Sequence, residues 1–151
     1  MNILILFATY SGGTQTAAQI VETELKNAGH TVTLSNPAEI NFEAINGYDI
    51  ILMGSPSWEH EGQDGQPHID FMQFMSHMQD KTFDNKKFAI FGLGDSSYAH
   101  FCGAVDHLEE FVKKAKGLLV VESLRIDGFF VNQEKYTQEL TAWSQKIATS
   151  V

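Results

Sequence analysis

The chain has 151 residues, the size of one compact domain, and 43% of them are hydrophobic, enough for a full core. Its formal net charge of -9 disfavours nucleic acid and anionic membrane surfaces, and suits either a basic protein partner or solubility alone. The single cysteine, Cys102, excludes an internal disulfide and fits a reducing compartment.

Residues 3–8, ILILFA, are a continuous apolar run of the kind found in strands buried on both faces of a parallel sheet. The opening MNILILFATY is short and lacks a basic leader, so it reads as this strand and not as a signal peptide. No stretch approaches the length of a membrane span. Residues 14–28 have helical spacing, with Ala17, Ile20, Val21 and Leu25 on one face and Gly29 at the end. TVTLSN at 31–36 is β-rich, and YDIILMGSP at 48–56 is a buried strand. Residues 57–67, SWEHEGQDGQP, read as a polar loop. Residues 68–79 read as a helix whose Met72, Met75 and Met78 have core spacing. KFAIFGLG at 87–94 is a fourth strand, 100–116 a helix, GLLVVESLRI at 117–126 a fifth strand, and 132–148 a closing helix. Within that last helix Trp143 lies beside Leu140 and Ile147, which makes it a core residue.

The alternation of buried strands and helices implies a single α/β domain over 1–151. Its sheet is parallel, five-stranded and doubly wound, with helices on both faces. Ligands of such sheets bind outside the carboxyl ends of the strands. Three loops leave those ends: 9–14, 55–67 and 92–102.

The first loop, TYSGGT, joins a strand to a helix. N–H groups at a helix start face an anion, and the helix dipole favours it. Gly12 and Gly13 let the backbone approach closely, and Thr9, Ser11 and Thr14 add hydroxyl donors. The loop has no lysine, unlike G-x-x-x-x-G-K-[ST], and it lacks the dinucleotide pattern G-x-G-x-x-G. It suits a phosphate held as a permanent handle on a mononucleotide; the other reading is a glycine turn with an ordinary Ser/Thr cap. Tyr10, at the variable position, either shields the phosphate or makes a surface contact. The second loop carries Trp58 in polar surroundings, a flat wall for an aromatic ring. The third, GLGDSSYAHFCG, holds a second flat aromatic, Tyr98. Asp95 and the N–H groups from Leu93 to Ser96 can bond a polar ring edge, and Asp95 and Ser96 can also cap a helix starting near 99. A phosphate cradle, two aromatics and a polar edge describe a pocket for a flat phosphorylated heteroaromatic, and flavin mononucleotide (FMN) fits.

These motifs resemble the short-chain flavodoxin family over essentially the whole chain. The family's [ST]-x-[ST]-G-x-T is matched by Thr9, Ser11, Gly12 and Thr14. Its tryptophan after a short Ser/Thr turn is matched by Ser55, Pro56, Ser57 and Trp58. Its G-x-G-D-S-x-Y is matched by Gly92, Gly94, Asp95, Ser96 and Tyr98. YAHFCGAVDHLEEF and LRIDG also resemble short-chain members, and GLLVVESLRIDG leaves no room for the insertion of long-chain ones.

The resemblance implies strand order 2-1-3-4-5 and FMN bound tightly without a covalent link. The phosphate would lie on Thr9, Tyr10, Ser11, Gly12, Gly13 and Thr14. The ring would lie between Trp58 and Tyr98, with Ser55, Pro56, Ser57, Glu59, Leu93, Gly94, Asp95, Phe101 and Cys102 around it. The implied activity is one-electron transfer at low potential, cycling semiquinone and hydroquinone, and not enzymatic catalysis. The implied setting is a cytoplasmic monomer between a flavodoxin reductase or similar donor and an acceptor enzyme, both with basic docking surfaces. Glu59, Glu61, Asp64 and Asp95 would disfavour an anionic reduced flavin and steer such partners, an effect that salt weakens.

One departure stands out. In the family a glycine usually follows the tryptophan, which lets the peptide beside flavin N5 flip on reduction. Here Glu59 and His60 follow Trp58, and the first glycine is Gly62. A non-glycine residue in left-handed backbone costs about 1–2 kcal/mol. The expectation is a less stabilised semiquinone, or a flip at another peptide. His60 either adds pH dependence or is an ordinary exposed histidine.

The histidines are scattered, so no metal site is expected. Cys102 has no basic neighbour to make it a catalytic thiol. An FMN-dependent quinone or NAD(P)H reductase is the main alternative, but it needs an open flavin face. A phosphoacceptor receiver needs acids after the first strand that LFATY lacks. A domain of this fold that has lost its cofactor is a third reading, and the intact loops argue against it.

Overall fold

The apolar runs become strands because their alternate residues fill two cores at once. In a computed structural model describing residues 1–150, β1 (Asn2–Phe7) pairs in parallel with β2 (Thr31–Ser35) and with β3 (Ile50–Pro56). β4 (Trp58–His60) and β5 (Gln63–Gln66) form a separate antiparallel hairpin. β6 (Lys87–Gly94) then pairs with β3, while β7 (Leu118–Leu119) and β8 (Leu124–Asp127) both pair with β6. The main sheet runs β2-β1-β3-β6-β7 with β8 also on β6, which is the order 2-1-3-4-5 with its last position split.

The split corrects the continuous fifth strand expected over 117–126. Lys87 pairs with Leu118, but Phe91 pairs with Leu124, so two residues are looped out between the pieces. The Trp143 indole N–H donates to the Glu122 carbonyl at 2.9 Å and holds the bulge in place.

Helices cover both faces. α1 (Gly13–Asn27) and α5 (Gln133–Thr149) pack on one side through Ala17, Val21, Leu25, Leu140, Trp143 and Ile147 against Ile3, Ile5 and Leu52. α3 (Ile69–His77) and α4 (Gly103–Lys114) pack on the other through Phe71, Phe74, Leu108 and Val112 against Leu4, Leu6 and Met53. A short α2 (Phe42–Ile45) and a 3₁₀ turn at Pro37–Glu39 precede β3, capped by the Asn41 and Asn36 side chains. Gly29 closes α1 as expected: its N–H reaches the Lys26 carbonyl, and the next N–H, of His30, reaches that of Leu25. Met78 is buried in the α3 side of the core with Met75 packed against it. No helix among the described residues is long and apolar enough to cross a membrane.

Candidate functional site

The loop after β1 is a cradle of neutral donors. Gly12 has φ 93°, a left-handed conformation that glycine adopts without a Cβ clash. Its N–H donates to Thr9 Oγ1 at 2.8 Å, folding the loop onto the strand end. The Gly12 carbonyl accepts from the Thr16 N–H and hydroxyl, which starts α1. The N–H groups of Gly13, Thr14 and Gln15 have no acceptor among the described residues. Thr14 is 2% exposed as a residue, but its hydroxyl makes no hydrogen bond within the chain and keeps contact with solvent. The first N–H groups of a helix have no partner within it, so this set is open to an acceptor from outside the chain. The first turn of α1 carries no acidic residue, and the helix dipole there favours an anion. The donor set fits a phosphate.

The second loop corrects the sequence reading, because residues 57–67 form the β4–β5 hairpin. Glu61 and Gly62 have φ of 51° and 80°, both positive as a type I′ turn requires. The non-glycine residue in left-handed backbone is therefore Glu61, not Glu59 or His60, which lie in β4. The hairpin and the 94–102 loop enclose a cleft of about 520 Å³. Trp58 and Tyr98 line it at 55% and 57% exposure, whereas Trp143 is at 5%. Glu59, Glu61, Asp64 and Asp95 lie around the same cleft.

In the third loop Asp95 is engaged by its own turn. The Ser97 N–H and hydroxyl donate to its carboxylate at 2.8 and 2.7 Å, which holds that carboxyl below the ordinary range. The Ser96 N–H donates to Asp127 and so is not available to a ring edge. Neither residue caps α4, which begins later than expected, at Gly103. Its cap comes from another loop: the Ala104 N–H donates to Ser57 Oγ at 3.0 Å.

Ser55 is fully buried; its hydroxyl donates to the Pro56 carbonyl and accepts from the His68 N–H. Leu93 and Phe101 are partly buried and pack into opposite cores. Cys102 lies under Gly94 at the cleft floor, and burial pushes its thiol up to about 11, leaving essentially no thiolate near neutrality. Tyr10 makes a contact and is not an isolated shield. Its ring stacks on His68 with centroids 3.9 Å apart, lies 5.1 Å from Trp58, and its hydroxyl accepts from the Ile69 N–H. His60 stands at the hairpin tip beside Glu61.

The sequence reading missed His68, His100, Asp127 and Phe130. Burial holds the His68 imidazole below its ordinary value, with Asp70 opposing. Its Nδ1 accepts from the Asp70 N–H and caps α3. A cap directly before the helical spacing was a readable signal; the stacking on Tyr10 was not. Phe130, 56% exposed, reaches Gly13 across the phosphate loop.

Fold and site together define an α/β carrier of a phosphorylated flat ring, held at the carboxyl ends of the strands. The family model for flavodoxin matches residues 5–143. The chain is 34% identical to the flavodoxin of Maridesulfovibrio salexigens, covering 98% of this chain and 97% of that one. Oxidised flavodoxin 2 from Bacillus cereus superposes over the full length of both chains with a TM-score of 0.89 at 28% identity. The flavodoxin of Fusobacterium nucleatum bound to flavin mononucleotide shares the fold with a TM-score of 0.82 at 19% identity, over 97% of this chain and 96% of that one. This chain belongs to the flavodoxin family. As a flavodoxin it is an FMN electron carrier that works between redox partners, and not an enzyme.

Proposed function

We infer that the chain is a single domain that seats the FMN phosphate on Thr9–Thr14 and the ring between Trp58 and Tyr98, and that it passes one electron at a time. The observation that carries this reading is the cation-free set of unpartnered donors at the start of α1, beside a cleft lined by two exposed aromatics. FMN supplies the redox chemistry when bound. The N–H groups of Gly13 and Thr14 and the Thr14 hydroxyl hold the phosphate. Trp58 and Tyr98 keep water from the ring faces. Glu59, Glu61, Asp64 and Asp95 raise the cost of adding negative charge to the ring, which lowers its potential. The same carboxylates, within a net charge of -9, steer basic docking surfaces on a donor and an acceptor, and added salt slows both exchanges. A buried thiol as the only cysteine fits a cytoplasmic setting, and a monomer suits a carrier that must engage two partners in turn. Glu59 lies in β4 at a register irregularity between the pairs Trp58–Gln66 and His60–Gln63, and its Cβ narrows the backbone conformations that a glycine there would allow. The two one-electron steps are therefore expected closer together than where glycine follows the tryptophan.

The test is a titration of the full chain with FMN, followed by stepwise anaerobic reduction. Tight binding and two resolved one-electron steps are expected. Failure to bind FMN would overturn the placement.

A further inference from the structure

The two walls of the ring cleft come from different parts of the chain, and one carboxylate joins them. Asp64, in β5, accepts the His100 main-chain N–H at 2.9 Å through one oxygen and faces His100 Nδ1 at 2.7 Å through the other. The hydrogen bonds from His100 hold the Asp64 carboxyl below its usual range, so it remains an ionised acceptor throughout the neutral range. The join is built closely. A Cβ on Gly65 would lie 2.6 Å from that of His100, and a Cβ on Gly103 would lie 2.5 Å from the Gly65 carbonyl oxygen. The Ser57–Ala104 bond is a second join between the same two parts of the chain. Tyr98 stands two residues before His100, and Trp58 lies on the strand that pairs with the one carrying Asp64. Asp64 and His100 both line the cleft themselves.

We propose that Asp64 and His100 form a clasp of positioning residues that sets the spacing of the Trp58 and Tyr98 walls, and with it the affinity for the ring of FMN independently of its phosphate. The inference rests on the placement of the ring in this cleft. It assigns no contact with the phosphate: the cradle at the start of α1 is held by its own hydrogen bonds, and neither clasp residue belongs to it. Preorganised walls spare the ordering of two loops on binding, so loosening them weakens the ring and leaves the phosphate increment alone.

The full chain and its variants are titrated with FMN and, separately, with riboflavin, which has the ring but no phosphate. Flavin fluorescence and the visible band of the bound flavin are the readouts. Asp64→Ala removes both bonds and should weaken FMN and riboflavin by the same factor, roughly three- to tenfold, as expected for hydrogen bonds of this kind. The bound-flavin band should move toward that of free flavin. His100→Ala leaves the main-chain bond and should cost less. The double variant should bind no more weakly than Asp64→Ala alone, because the two residues act as one unit. Asp64→Asn should recover part of the loss, since its carbonyl oxygen still accepts the His100 N–H. Unchanged riboflavin binding in Asp64→Ala, a loss confined to FMN, or strictly additive losses would each overturn the clasp. If Asp64→Ala does not fold, His100→Ala and Asp64→Asn carry the same comparison. Wild-type protein that binds FMN but has no affinity for riboflavin would instead overturn the ring placement, on which the clasp depends.

Discussion

The proposed phosphate loop and the proposed ring cleft are built by opposite means. The loop is local: Gly12, Thr9 and Thr16 organise it through bonds spanning three or four residues. The cleft is assembled at long range, by Asp64 on His100, Ser57 on Ala104 and Asp127 on Ser96. A local cradle forms as soon as its helix does. A cleft held by distant contacts reaches its working spacing only when the whole sheet is closed. The first should therefore answer to single side chains, and the second to the bonds between loops as well as to its aromatics.

The comparison can be broken most directly at Thr14. Thr14→Val removes the hydroxyl while keeping the shape, and hydrogen bonds to charged groups contribute about 1.5–3 kcal/mol. FMN affinity should fall on the order of 10- to 100-fold with riboflavin affinity unchanged; an equal loss for both flavins would show that the loop is not specific to phosphate. Trp58→Ala should do the opposite, weakening both flavins alike by about two- to tenfold, the range of about 0.5–1.5 kcal/mol for aromatic pairs. Its thermal midpoint without flavin should hardly move, because Trp58 is exposed and outside both cores.

A smaller effect joins the two regions through His68, which stacks on Tyr10 and caps α3. Its pKa is lowered in the folded chain from an ordinary value of 6.5. The unfolded chain therefore takes up a proton first as pH falls. The stability contributed by neutral His68 is present above that value and is lost as pH falls through the lower, folded one. Urea midpoints should drop across this window, and His68→Asn, which keeps a cap acceptor, should flatten the drop. The smallest change concerns the hairpin alone. Glu61→Asn places a residue that tolerates positive φ at the first central position of the turn, and should stabilise by about 0.5–1 kcal/mol without altering the FMN to riboflavin affinity ratio.

The cradle was readable because its chemistry lies within six consecutive residues between an apolar run and a helical pattern. The aromatics were readable as misfits, large flat side chains in polar loops. The hairpin was not, since SWEHEGQDGQP lacks apolar alternation and its turn is Glu-Gly where Asn-Gly is the strong signal. The break in the last strand was equally hidden: GLLVVESLRI reads as one β-rich run, and the break shows only in its two registers on β6 and in the Trp143 indole on the Glu122 carbonyl.

By itself the sequence determined the α/β class, the parallel sheet, the glycine and hydroxyl loop after β1 and the two aromatics in polar loops, Trp58 and Tyr98, because each is written in spacing over a few residues. Tertiary structure alone decided that Asp64 meets His100, that Ser57 caps α4, that Asp127 accepts from Ser96 and that Tyr10 lies on His68. Those contacts join residues that only the closed sheet brings together, and pairing across dozens of residues leaves no periodic trace in the chain.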